Sequence, residues 1–438
     1  MDLTSLTILQ NEDWTFLDYS TRDYTHGFHL YPARMHPEIA KRLISKYASD
    51  QKKVVFDPFM GSGGVLVEAL IHGNNSVGID VNPFAVLLSK VKTRTIIPAL
   101  LQKTFETILS KSQNDHSKKT RYDTAPKSKS LDLSFWYKPD VIYKLEILKH
   151  HIFGLEKSVV KDFFKVCFSL TSRKASNQRN SIYKIYRMDK EKLSKFNPDV
   201  FEIFKEVCQK NIEKMGDFSS TVEPKSQAFP LLGDTRNIKE AFDKVPEEVF
   251  DDEKVHLVVT SPPYGDHKTT VAYGQFSKHP GLWLELPEEH LLNVDSIGLG
   301  GKKKKEISDL DSPLLENTLN AVKQKDKVLT KKTNNLNRAA DVFSYFHDLD
   351  LCLEQISKFL KPDQSHCCFV VANRTVRRIK IPTDQIIVEL GKKYSLKHKD
   401  TIYRTIANKA MSIKNAPENI VDYAGETMTK ESIVIWEY

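Results

Sequence analysis

The sequence predicts an α/β fold: a largely parallel sheet with helices on both faces, interrupted by a mainly helical insert. Three observations carry this. Between Val54 and Lys92 two short apolar runs alternate with two helical runs, the rhythm of parallel strands joined by crossover helices. After about residue 228 strand-like apolar runs resume. Between these halves the rhythm stops, and the chain becomes helical and basic.

In order, Val54–Phe59 (VVFDPF) has the pattern of a short buried strand and opens into the glycine turn Gly61-Ser62-Gly63-Gly64. Val65–Gly73 reads as a helix stopped by its glycine. Ser76–Asp80 reads as the next strand, and Pro83–Lys92 as the next helix, with proline in its first turn. From about Leu100 to Ala228 lies the insert. Its polar stretch Lys111–Ser130 is expected to be a mobile linker, and Lys138–Phe153 and Asn197–Met215 to be helices. Phe229–Asp234, Val255–Tyr264, His366–Asn373 and Glu431–Tyr438 are the later strands. Gly298–Asn337, with its run Lys302–Lys305, reads as a solvated loop. The expected division is 1–99, the insert 100–228, and 229–438.

Composition narrows the function classes. The 438 residues, 40% of them hydrophobic, suffice for one large domain with insertions or for two domains. A net charge of +8 suits a polyanionic partner. The five cysteines form no CxxC pair, which argues against a disulfide framework or a zinc site. The first residues lack a basic segment followed by an apolar core, and no apolar run approaches the ~18 residues of a membrane span. A soluble, cytoplasmic protein with no membrane and no metal partner is expected.

The most informative string is Thr260-Ser261-Pro262-Pro263-Tyr264, at the carboxyl end of an apolar run, where open α/β sheets bind ligands. Pro262 and Pro263 stiffen the loop and remove two N–H donors, leaving carbonyls to face outward. An exocyclic amine on a base is a poor nucleophile because its lone pair is delocalised into the ring. Acceptors on its hydrogens, here Ser261 Oγ and the Pro262 carbonyl, favour the pyramidal, nucleophilic form. Tyr264 suits stacking on a base rotated out of a duplex. The glycines after Asp57 permit close backbone approach to a ligand, and no Gly-Lys-Ser/Thr follows, which argues against a phosphate-binding P-loop. Asp80 ends a strand where a carboxylate accepts from ribose hydroxyls, and Asp234 ends another, placed to meet an adenine amino group.

Taken in order, these strings resemble the SAM-dependent amino-methyltransferases of DNA. Asp57, Pro58, Phe59, Gly61, Ser62 and Gly63 are similar to that family's cofactor loop. Asp80, followed by Asn82, is similar to its ribose-binding segment, Asp234 with Thr235 to its adenine-side segment, and Ser261–Tyr264 to its catalytic tetrapeptide. Upstream, Tyr31-Pro32-Ala33-Arg34-Met35-His36-Pro37 resembles the segment beside the methionine end of the cofactor, which adds Tyr31, Pro32 and His36. Downstream, Tyr403–Lys409 and Glu426-Thr427-Met428 resemble late motifs of the target pocket, with Arg404 and Lys409 as candidate DNA contacts. The resemblance implies a Rossmann-like methyltransferase sheet, S-adenosyl-L-methionine as cofactor and double-stranded DNA as substrate. Its expected setting is a restriction–modification system with a separately encoded endonuclease. Serine before the two prolines favours N4 of cytosine over N6 of adenine. No cysteine follows a proline, which sets C5 chemistry aside.

Within the insert, Ser172–Asn180 is dense in side chains that bond phosphates and base edges, and it leads into Tyr183–Arg187. Arg173, Arg179 and Arg187 are the expected DNA contacts, and the insert the expected seat of sequence recognition. Rival readings are a tRNA guanine-N2 methyltransferase and an inactive DNA-binding module. The former would carry Asp before the prolines and an N-terminal RNA-binding domain, for which the stretch before Tyr31 is short.

Overall fold

The computed structural model describes residues 13–50, 53–179, 185–250, 254–265, 270–329, 337–406, 414–415, 425–426 and 428–438. Its main sheet comprises β1 (Val54–Asp57), β2 (Asn75–Asp80), β3 (Ala228–Leu232), β4 (Leu257–Thr260), β5 (His366–Val371), β6 (Lys397–Thr405) and β7 (Lys430–Glu437). They lie in the order β3-β2-β1-β4-β5-β7-β6. The first five are mutually parallel, and β7 runs antiparallel to both β5 and β6. The chain winds outward from β1 through β2 to β3, then returns to β4 on the other flank of β1. That reversal opens a crevice at the carboxyl ends of β1 and β4, where ligands bind in such sheets.

The helices that matter here are α1 (Pro37–Tyr47), α2 (Gly64–Ile71), α3 (Pro83–Lys92), α4 (Pro98–Ser117), α5 (Pro139–Phe153), α6 (Val159–Ala175), α7 (Val200–Thr221), α8 (Tyr273–Trp283), α9 (Glu288–Ile297), α10 (Pro313–Leu329), α11 (Arg338–Phe359) and α12 (Thr383–Lys392). β1 and β4 are buried along their whole length, which explains why their sequences are continuously apolar rather than alternating. Successive strand residues serve opposite faces. Val55, Leu257, Val259, Cys368 and Ile433 join the core under α1–α8, whereas Phe56, Val258, Phe369, Val434 and Trp436 join the core under α10, α11 and α12.

The insert's helices share the first of these cores. Phe163, Phe164 and Phe168 of α6 and Phe204 and Met215 of α7 are buried in one cluster with Leu66 of α2 and Phe84 and Leu88 of α3. The insert therefore packs on the sheet-bearing body.

Two sequence expectations change. Lys111–Ser130 is not a mobile linker. α4 continues to Ser117, directing Leu101, Phe105, Ile108 and Ser112 inward and its charges outward. The chain beyond it is docked: Lys149 Nζ donates to Thr124 O at 2.7 Å, Ser130 Oγ to Glu288 Oε1 at 2.6 Å, and Tyr122 stacks on His150 at 3.7 Å. Nor is Gly298–Asn337 a solvated loop throughout. α10 lies within it, Leu299, Leu315, Leu319 and Val322 are in the second core, and Gly300 N donates to Asp348 Oδ2 at 2.9 Å. Lys303 pairs with Asp341 at 2.9 Å, so part of the lysine run is held by α11. The sheet ends in an antiparallel edge, whose outer strand β6 carries no strand-like apolar run and is not among the expected strands. Its Lys-His-Lys-Asp start is charged because it is an exposed edge.

Candidate active site

The crevice between β1 and β4 is a cleft of about 540 Å³, within the range of small-molecule sites. Its lining draws on the strand ends and on the segment before α1: Tyr31, Pro32 and His36; Asp57–Ser62; Asp80 and Asn82; Asp234 and Thr235; Ser261, Pro263 and Tyr264. Most of the residues singled out as cofactor-binding or catalytic thus meet in one cavity. Gly63 packs against Ser89 of α3 behind the turn, and Pro262 is buried within its loop.

The turn after β1 follows from its residues. Gly61 and Gly63 have φ of +49° and +76°, a region that side chains with a Cβ seldom enter. A Cβ on Gly63 would lie 2.8 Å from Ser89 Oγ of α3, and one on Gly61 would lie 3.3 Å from the Tyr31 ring. The Asp80 carboxylate braces the turn, accepting from Gly61 N at 2.9 Å and Asn82 N at 2.8 Å. Asp57 accepts from Phe59 N at 3.1 Å and from Thr260 Oγ1 at 2.6 Å, tying β1 to β4 just below the cleft. Burial pushes the carboxyl of Asp57 up to about 7 and that of Asp80 up to about 6.

Asn82 caps α3 through Phe84 N at 3.1 Å and donates to Tyr31 OH at 3.2 Å and Ser277 Oγ at 2.7 Å. Tyr31 stacks in turn on Tyr273 of α8, ring centroids 5.9 Å apart. His36 caps α1 and stacks on Phe16 at 4.9 Å. Thr235 Oγ1 donates to Pro58 O. Asp234 is engaged by Arg236, whose Nε and Nη2 donate to it at 2.9 and 2.6 Å. The Arg236 backbone N–H also donates to Oδ1 at 2.9 Å, so both carboxylate oxygens are engaged by Arg236.

On the other wall, Ser261 Oγ donates to Tyr264 OH at 3.3 Å, and Tyr264 OH donates to Glu431 Oε1 at 2.9 Å. Burial, then the Glu431 charge, raises the Tyr264 phenol well above its ordinary range. It stays a neutral donor.

The expected DNA contacts fare unevenly. Arg173 is a correction: it is 2% exposed, its guanidinium 4.5 Å above the Phe276 ring. Ser176, Asn177 and Gln178 are buried with it, because α8 covers the end of α6, and Gln178 Nε2 donates to His279 Nδ1 at 2.6 Å. Burial lowers His279 to about 3, leaving it a neutral acceptor. Arg404 is a second correction. It is 6% exposed, bonded to Glu431 and to Trp14 O, so its charge is consumed inside the fold. Arg179 is exposed, 3.9 Å from Asp189, and Arg187 lies 4.2 Å over the Phe135 ring. Lys409 and Thr427 lie outside the described residues. Ile406 of the late segment lines the cleft.

Sequence reasoning missed Lys92, Arg236 and Glu431. Lys92 is fully buried beneath the glycine turn, Nζ donating to Ser62 O at 2.7 Å, and burial holds its ammonium well below the usual range. Nearby, His26 Nε2 and Glu68 Oε1 are 2.7 Å apart, and burial lowers the imidazole and raises the carboxyl to about 7, favouring an uncharged pair. As the last residue of α3, Lys92 looks in sequence like an ordinary helix-end cation. Nothing local marks it as interior.

A DNA methylase family profile matches residues 8–91. The chain is 38% identical to the Type II methyltransferase M.MvaI of Kocuria varians over 454 residues, spanning 99% of this chain and 96% of that protein. The Type II methyltransferase M.MjaII of Methanocaldococcus jannaschii is 32% identical over 90 residues, 20% of this chain and 17% of its own. Among solved structures, the rRNA methyltransferase AviRa from Streptomyces viridochromogenes aligns with 100% of this chain and 93% of its own at TM-score 0.29 and 10% identity, too loose a likeness to bear on substrate. Near-full-length identity to M.MvaI, on the Rossmann-like sheet described above, means that the chain belongs to the family of SAM-dependent DNA amino-methyltransferases.

Proposed function

We propose that the protein methylates an exocyclic amino group of a base rotated out of double-stranded DNA, with N4 of cytosine as the target. One observation carries the reading: the Ser-Pro-Pro-Tyr loop of β4 faces the glycine turn of β1 across a single cleft. The cleft fits S-adenosylmethionine by its size, by the absence of a side chain at Gly61, and by carboxylates at Asp57 and Asp80 suited to a cationic ligand. Bound there, the cofactor supplies an electrophilic methyl group. Asp80 would accept from the ribose hydroxyls, Asp234 and Thr235 would border the adenine, and Tyr31, Pro32 and His36 would flank the amino-acid end.

Ser261 and the Pro262 carbonyl would accept from the target amine, and Tyr264 would stack on the base. Every role is one of binding, orientation or hydrogen-bond acceptance, so a single displacement without a covalent enzyme intermediate suffices. No residue of 100–228 lines the cleft among the described residues. The insert would therefore act on the flanking duplex rather than on the everted base. Its best-placed element is the antiparallel pairing of Gln178 with Arg187, where Arg179 N donates to Tyr186 O at 2.8 Å, presenting Arg179, Tyr186 and Arg187 together. We also propose a restriction–modification setting, alongside a cognate endonuclease.

The test is to incubate the protein with SAM and unmethylated genomic DNA and to identify the modified nucleoside by mass spectrometry. N4-methylcytosine is expected. N6-methyladenine would reassign the base, and transfer to RNA alone would overturn the reading.

A further inference from the structure

The geometry points to Glu431 as a positioning residue that sets the direction of hydrogen bonding through the Ser-Pro-Pro-Tyr loop, and so turns the Ser261 lone pairs toward the target amine. This rests on the function proposed above. Glu431 lies at the start of β7, directly opposite Arg404 of β6 in the strand register, an arrangement that favours an opposite-charge pair. Glu431 and Arg404 side chains are 13% and 4% exposed. Arg404 donates to one carboxylate oxygen and, through Nε, to Trp14 O at 2.8 Å. The other oxygen accepts from Tyr264 OH at 2.9 Å.

The chemistry then propagates in one direction. A carboxylate held beside a guanidinium is an acceptor only. Tyr264 has one hydroxyl proton, which goes to Glu431, leaving its oxygen to accept. Ser261 Oγ, 3.3 Å away, donates there. With its own proton committed, Ser261 presents lone pairs to the cleft. A serine hydroxyl free to rotate could equally donate to the amine nitrogen, engaging the lone pair that must attack. The Glu431 link also pins the Tyr264 ring, which lines the cleft.

The test uses the full-length protein and measures SAM affinity and single-turnover methyl transfer to DNA for the wild type, Glu431→Gln, Tyr264→Phe and the double variant. Glu431→Gln and Tyr264→Phe should each slow transfer about tenfold, about 1.4 kcal/mol of barrier, with SAM affinity unchanged. The double variant should be no slower than the slower single one. If Glu431→Gln slows transfer equally in the Tyr264→Phe background, Glu431 acts only through the Arg404–Trp14 contacts and the inference fails. Should Glu431→Gln lose SAM binding through misfolding, Tyr264→Phe decides alone, since it cuts the link without touching Arg404, and an unchanged rate overturns the inference. An active wild type with unaffected variants defeats only this inference, whereas a wild type without transfer to DNA defeats the proposed function with it.

Discussion

The two walls of the cleft are built in different ways. On the cofactor side, Asp80 braces a glycine 19 residues away and an amide two residues away. On the target side, Tyr264 depends on a carboxylate 167 residues away, Thr260 on Asp57 203 residues away, and Arg404 on a carbonyl 390 residues away. The glycine turn of the first wall is braced within the single β1–α2–β2 unit, although Asn82 also reaches Ser277 of α8 and Thr235 reaches Pro58. The second exists once the whole sheet has closed, including its antiparallel edge. Damage to the first should therefore appear in cofactor binding, and damage to the second in turnover.

The largest effect should come from Gly63→Val. A left-handed φ costs a β-branched residue about 1–3 kcal/mol, and its Cβ would collide with Ser89. SAM binding should fall by about a hundredfold or more, with a lower melting temperature, as read by calorimetric titration and thermal denaturation. Retained affinity would mean that the turn is not the cofactor's cradle.

Next, Tyr264→Ala should lower single-turnover transfer by about ten- to a hundredfold, since base stacking on an aromatic is worth about 1–3 kcal/mol, with SAM affinity nearly unchanged. Asp80→Ala should do the reverse, weakening SAM by about ten- to a hundredfold through loss of charged hydrogen bonds while leaving saturated turnover little altered. An exchange of these patterns would invert the assignment of the walls.

A pH titration sharpens the cofactor side. Burial lifts Asp57 to about 7 and Asp80 to about 6 in the folded protein. A carboxyl raised on folding holds its proton in the native state after the unfolded chain has released it. Stability of the free protein from these sites therefore falls as pH rises from the ordinary carboxylate range to about 7. A cationic ligand favours the ionised forms, so SAM affinity should rise about tenfold from pH 6 to pH 8 and then level off. A flat profile would show that neither carboxylate faces the cofactor's charge.

The smallest effect is expected at the insert. Arg179→Ala should weaken DNA binding modestly and reduce the slope of log affinity against log salt by about one. Arg173→Ala should instead lower stability and leave the salt slope unchanged, since its guanidinium lies on Phe276. Equal salt effects at the two positions would remove the distinction drawn between them.

Much of the site was legible because its motifs are short and sit at strand ends. The segments VVFDPF, SVGID and VHLVV contain short strands that are wholly or largely buried, and each is followed by its functional turn. The Lys-rich stretches misled because helical charges on an outward face look like a loop's charges when the buried stripe is sparse, as in α4.

By itself, then, the sequence determined the parallel strands, the glycine turn and the Ser-Pro-Pro-Tyr corner, because each is announced by apolar runs, glycine φ preferences or proline stiffness within a few residues. Tertiary structure alone decided which long cations are available. Arg173, Arg404 and Lys92 read in sequence like surface charges, yet each is buried by an element distant in the chain, against Phe276, Glu431 and Ser62 respectively. Whether a charged side chain meets solvent depends on what packs over it, and no local window contains that covering partner.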